Sequence, residues 1–148
     1  MRYLAEAFVL GALRRGRPVE QFLGPIHAAE RLGVRYVEVR PQAGRYEIFL
    51  HTVEDVGHEN FLDLAEFPPL DQDSEEEDFG RLVTAAPDPL AALEAAENGT
   101  GAVRQRWVNA TMAQDEYADF VRAGRPRHSS PDGTPGQRLK ASPDNDGD

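Results

Sequence analysis

The chain has no cysteine. That removes disulfides, thiolate metal sites, iron–sulfur clusters and cysteine nucleophiles together. Lysine is almost missing too: the 16 Lys and Arg residues include a single lysine, Lys140. No apolar run approaches the ~20 residues needed to cross a bilayer as a helix. The opening segment lacks the polarity of a signal peptide, because Glu6 interrupts its apolar stretch and Arg14, Arg15 and Arg17 follow it. A cytoplasmic protein without a membrane partner is the expectation. Neither G-x-S-x-G nor a glycine-rich phosphate loop occurs, so the common routes to serine hydrolysis and nucleotide binding are closed. No cofactor is expected.

What the chain does have is acid. Its 148 residues carry a formal charge of −10, and the length suits one domain. The charge is unevenly placed. Residues 1–45 hold 8 Arg and 4 acids, while residues 46–80 hold 12 acids and neither Lys nor Arg. A basic lobe thus precedes a strongly acidic one. The last 24 residues, from Arg125, are dominated by Pro, Gly, Ser and Asp, with Leu139 their only large aliphatic side chain. Such a segment buries too little apolar surface to offset its ordering entropy, so residues 125–148 are expected to be a disordered tail. Residues 1–124 then form a single globular domain, with an exposed acidic loop at residues 71–78.

Apolar spacing predicts a helix over residues 3–15, with Leu4, Phe8 and Ala12 on its buried face. Pro18 is placed to open a short helix carrying Val19, Phe22 and Leu23, and Ile26 to Leu32 reads as another. The period then changes. Val34–Arg40 and Arg45–Val53 are rich in β-branched and aromatic residues and flank a four-residue loop ending in Gly44, which predicts a hairpin. Tyr46, Ile48 and Leu50 share one face of the second strand, while Glu47, Phe49 and His51 share the other. Phe61–Phe67 fits a strand or a helical turn, and Arg81–Ala86 a short strand. Two helices follow. The first is capped by Asp88 with Pro89 at its first position and ends at Asn98-Gly99. The second opens on a Thr111/Gln114 capping box and presents Ala113, Tyr117, Phe120 and Val121. The fold class expected is α+β: N-terminal helices, an antiparallel hairpin or meander, and two C-terminal helices.

Few residues assemble into recognisable chemistry. His51, Glu54, Asp55 and His58, with Glu59 beside them, are competent zinc or manganese ligands, though their spacing matches no established zinc motif. They support an alternative reading as a metal-dependent or carboxylate-based enzyme. Asp71-Gln-Asp73 opens like a calcium loop, but Glu76 stands where that loop needs glycine and Leu82 where it needs a bidentate glutamate. Asp63 and Glu66 sit among apolar neighbours, where burial can raise a carboxyl pKa. Arg104, Arg106 and Trp107 set an aromatic among cations, yet the −10 charge opposes nucleic acid binding. Trp107 reads as a core anchor.

With no assembled active site, binding outranks catalysis. The expectation is a small acidic protein-binding module that docks a basic partner protein through Glu54, Asp55, Asp71, Asp73, Glu75, Glu76, Glu77 and Asp78. Immunity proteins, antitoxin-like proteins and accessory regulators share these gross traits of composition. Phe61, Leu62, Leu64, Phe67 and Leu70, interleaved with the acids, supply either interface anchors or core.

Overall fold

Among the described residues, five antiparallel strands form one sheet, with helices on both of its faces. The computed structural model describes residues 2–28, 31–70 and 80–126. The elements run α1 (Glu6–Arg14), β1 (Val19–Ala28), β2 (Arg31–Gln42), β3 (Arg45–Glu54), β4 (Arg81–Ala86), α2 (Pro89–Thr100), β5 (Val108–Asn109) and α3 (Ala113–Arg122). The strand order is β4-β3-β2-β1-β5. The α+β class and the predicted hairpin hold. Ala43 and Gly44 both have positive φ, 45° and 85°, which joins β2 to β3 through a tight turn whose twist matches the strands.

The N-terminal half corrects the sequence reading. Residues 19–28 form a strand rather than a helix, and of the residues expected in the next helix, 26–28 fall in β1 and 31–32 in β2. The cause is burial on both sides. Val19, Glu20, Gln21 and Phe22 are all buried, so no alternation of polar and apolar residues marks the strand. Pro25 is tolerated because, among the described residues, β5 pairs with β1 only at Val19 and Glu20, and none pairs with that edge of β1 beyond them. In α1 the buried face is Val9, Ala12 and Leu13, while Phe8 points outward at 66% exposure.

The sheet separates two cores. On one side Val9, Leu13, Ala92, Leu93 and Ala96 of α1 and α2 pack with Val37, Val39, Ile48 and Trp107. Trp107 is fully buried, as an anchor should be. On the other side α3 lays Ala113, Tyr117 and Phe120 against Phe22, Val34, Tyr36 and Val53, with Leu64 and Phe67 alongside. The last two belong to the segment that reads equally as strand or helical turn. It forms a single 3-10 turn at Leu64–Glu66, and Leu64, Phe67 and Leu70 are core.

The helix ends refine the boundaries. Asp88 caps α2 as expected, its Oδ1 accepting from the Ala91 amide at 2.9 Å. The helix continues past Asn98-Gly99 to Thr100 and stops at Gly101. The Thr111/Gln114 capping box does not form. Thr111 takes a φ of 75°, and the first residue of α3 is Ala113, capped from elsewhere in the fold. Arg125, assigned above to the tail, is anchored to the domain: its Nε donates to Asp55 Oδ2 at 2.8 Å and its Nη2 to the Gly57 carbonyl. Residues 127–148 of the expected tail and the acidic loop at 71–78 lie outside the described residues.

Candidate functional site

Antiparallel register puts a polar patch on the α3 face of the sheet. Glu20 lies opposite Glu38, Tyr36 opposite His51, and Arg40 opposite Glu47. Alternation along β2 sends Tyr36, Glu38 and Arg40 to one side and Val37 and Val39 to the other. The α3 helix covers only part of this face. Beside the start of the helix, where its cover stops, a cleft of about 360 Å³ opens. Its floor is Glu20, Tyr36, Glu38, Arg40 and His51, and its walls include Asp63 at the 3-10 turn and Thr111 and Gln114 at the start of α3.

The floor is tightly fixed. The imidazole of His51 stacks on the Tyr36 ring, centroids 4.3 Å apart and planes within 2°. Gly80 closes the opposite side, so near that a β-carbon there would lie 2.6 Å from His51 Cε1. The ring's Nε2 contacts Glu38 Oε1. Arg40 donates to the same oxygen at 2.7 Å, with its guanidinium 4.1 Å from the centre of the Phe49 ring. Burial alone would raise the Glu38 carboxyl, but the bonds from His51 and Arg40 outweigh it and hold it down at about 2. Glu38 therefore stays ionised.

Glu20 is the opposite case. Burial pushes its carboxyl up to about 7, helped by the nearby charges of Glu38 and Asp63 and resisted by the amides of Ala113 and Thr111. The Ala113 amide donates to Glu20 Oε1 at 3.0 Å, which makes Glu20 the cap that α3 lacks locally. Tyr36 is raised as well, by burial and by the charges of Glu38 and Glu20. Of two neighbouring carboxyls, one is thus held well below the ordinary carboxylate range and the other is raised to near neutrality, a separation that concentrates at functional clefts.

The residues singled out from sequence scatter. His51 enters the cleft, whereas Glu54 pairs with Arg31 at 3.4 Å at the end of β3. Asp55 has only 3% of its side chain exposed and is held by Tyr117 and Arg125, so it offers no charge to a docking partner. His58 is exposed on a separate turn beside Phe61, and Glu59 pairs with Arg122 at 3.2 Å. The structure does not bring the four expected ligands together, and among the described residues no group of three His, Asp or Glu is arranged to hold a metal ion. Asp71, Asp73, Glu75, Glu76, Glu77 and Asp78 lie outside the described residues. Asp63 is on the cleft wall; its Oδ1 accepts from Ala65 at 3.1 Å and caps the 3-10 turn. Arg104 is clamped by Glu97 and Glu6, and Arg106 by Glu116, so the cations beside Trp107 serve the fold.

Glu20, Tyr36, Glu38 and Arg40 are site residues that the sequence reading did not select. A signal existed for three of them. Two adjacent predicted strands each present a polar series, Tyr36-Glu38-Arg40 and Glu47-Phe49-His51, and pairing brings the two series together. Glu20 carried none, because its segment reads as helix. Among the described residues no helix is long and apolar enough to cross a membrane. Compared with known protein families, curated proteins and solved structures, the chain finds no match.

Proposed function

We propose that the domain is a non-catalytic protein-binding module that receives a basic group of its partner in this cleft. One observation carries the reading: Glu20, Glu38 and Asp63 converge on a single cleft from three different elements, and Arg40, the arginine among its described lining residues, is bonded to Glu38. The excess of 12 acids over residues 46–80 supports it, since a field of one sign accelerates encounter with a basic surface. In this reading the acidic run steers and the cleft anchors. Asp63→Asn keeps an oxygen to cap its turn but removes a wall charge. Against the partner isolated from the native host, that variant is expected to bind about tenfold more weakly, the scale of one hydrogen bond to a charged group. An unchanged affinity would remove the cleft from the interface.

A second reading rests on His51. An imidazole clamped between Tyr36 and Gly80 and aligned by a carboxylate is the arrangement of a positioned general base. Chemical conversion of a bound molecule, lost in His51→Gln while binding persists, is the result that selects it.

A further inference from the structure

The three carboxylates of the cleft are not equivalent. Glu38 is already paired with Arg40 and bonded to His51. Asp63 is exposed and in contact with solvent. Glu20 is buried, and the two amides that bond it, from Ala113 and Thr111, bring only partial positive charge. It also faces a permanently ionised neighbour, since Glu38 is its register partner across β1 and β2. A buried carboxylate in that position is satisfied in one of two ways, by a proton or by a cation entering the cleft.

Resting on the reading above, we propose that Glu20 is the anchor for a guanidinium group of the partner, and that a proton and the guanidinium compete for it. The choice of guanidinium over ammonium follows from the walls. Acceptors face the cavity from β1 and from the Asp63 turn, and a planar fork with five N–H donors is suited to more than one acceptor where a point charge favours one. A guanidinium also keeps its charge at every accessible pH, so any pH dependence belongs to the protein.

The groups facing Glu20 are Tyr36, Glu38 and Arg40 from β2, His51 from β3 and Asp63 from the turn; Thr111 stands just before α3, which presents Gln114 and the Ala113 amide. With Glu20 titrating at about 7, the competing proton is largely bound near pH 6 and largely released near pH 8. Linkage then makes guanidinium binding about tenfold tighter at the higher pH.

The experiment uses the full chain and N-acetyl-arginine amide as probe, followed by NMR at about pH 6 and about pH 8. The expected result is an approximately tenfold drop in dissociation constant on going to pH 8, with shifts at Glu20, Tyr36 and Thr111. The Glu20 side-chain carboxyl signal, which reads this group alone rather than His51, should titrate at lower pH when the probe is saturating. Glu20→Gln retains an oxygen for the Ala113 amide and should bind weakly and equally at both pH values. Equal affinity of the wild type at both pH values, or full retention of pH dependence in Glu20→Gln, overturns the competition and leaves the cleft as a binding site. No shift of any cleft residue at about pH 8 overturns the competition and the proposed site together.

Discussion

Two glycines with nearly the same backbone allow the clamp on His51 to be weighed. Gly44 and Gly80 have φ of 85° and 88°, a region in which any L side chain is strained. At Gly44 an added β-carbon meets nothing within 4 Å. Gly44→Ala should therefore cost only the backbone term, about 1–2 kcal/mol. At Gly80 the same atom would lie 2.6, 2.8 and 3.0 Å from Cε1, Nε2 and Nδ1 of His51. The ring has no room to retreat. In the order β4-β3-β2 the Tyr36 ring stands on its far side at 4.3 Å, and Glu38 holds its Nε2. Overpacking of this kind adds about 1–3 kcal/mol, so Gly80→Ala should lose about 2–5 kcal/mol in all. Urea unfolding of the two variants reads the difference directly. A second readout is local: displacing His51 withdraws one of the bonds that depress Glu38, so the Glu38 carboxyl should titrate above its wild-type value of about 2. Equal losses in Gly44→Ala and Gly80→Ala, with Glu38 unmoved, would refute the clamp.

Phe120 packs within 5.6 Å of the Phe22 ring and 6.1 Å of the Tyr117 ring at 6% exposure, so Phe120→Ala should cost ~3–5 kcal/mol in denaturant unfolding; a loss under about 1 kcal/mol would show that the α3 face is not core. Stability should also depend on pH through Glu20, whose carboxyl is raised from 4.5 in the unfolded chain to about 7 in the fold. The folded state holds the extra proton between those values, so this group's contribution is fully present below about 4.5 and lost as pH rises through about 7. Glu20→Gln should flatten the decline, and an identical slope in the variant would show that Glu20 is not its source.

Local chemistry was legible where one short segment decides its own structure. The β2–β3 hairpin follows from two β-rich runs around a turn ending in Gly44, and the α2 start follows from Asp88 and Pro89, whose roles need no distant partner. Reading failed where a remote residue supplied the deciding contact. Thr111 and Gln114 carry the spacing of a capping box, but the carboxylate that caps α3 is Glu20, 93 positions away in the chain. Arg125 looks like tail until Asp55 and Gly57 are brought beneath it. For β1 the obstacle was periodicity itself, because a strand with a core on each face shows no alternation to read.

The same distinction explains why the site lay partly hidden. Its charges are ordinary in sequence, one glutamate in a buried strand and another between two valines. They become unusual only when β1 pairs with β2 and sets Glu20 against Glu38. A fold that served stability alone would gain little from facing two carboxylates under the end of a helix, since burial opposes the charge on each. Here one is held ionised by His51 and Arg40, and the other is left to exchange its proton near neutrality while supporting the first amide of α3. Anything that takes the place of that proton acts on the cleft wall and the helix start at once. The cap that stabilises α3 is thus also the group through which an occupied cleft would be felt in the aromatic core beneath it.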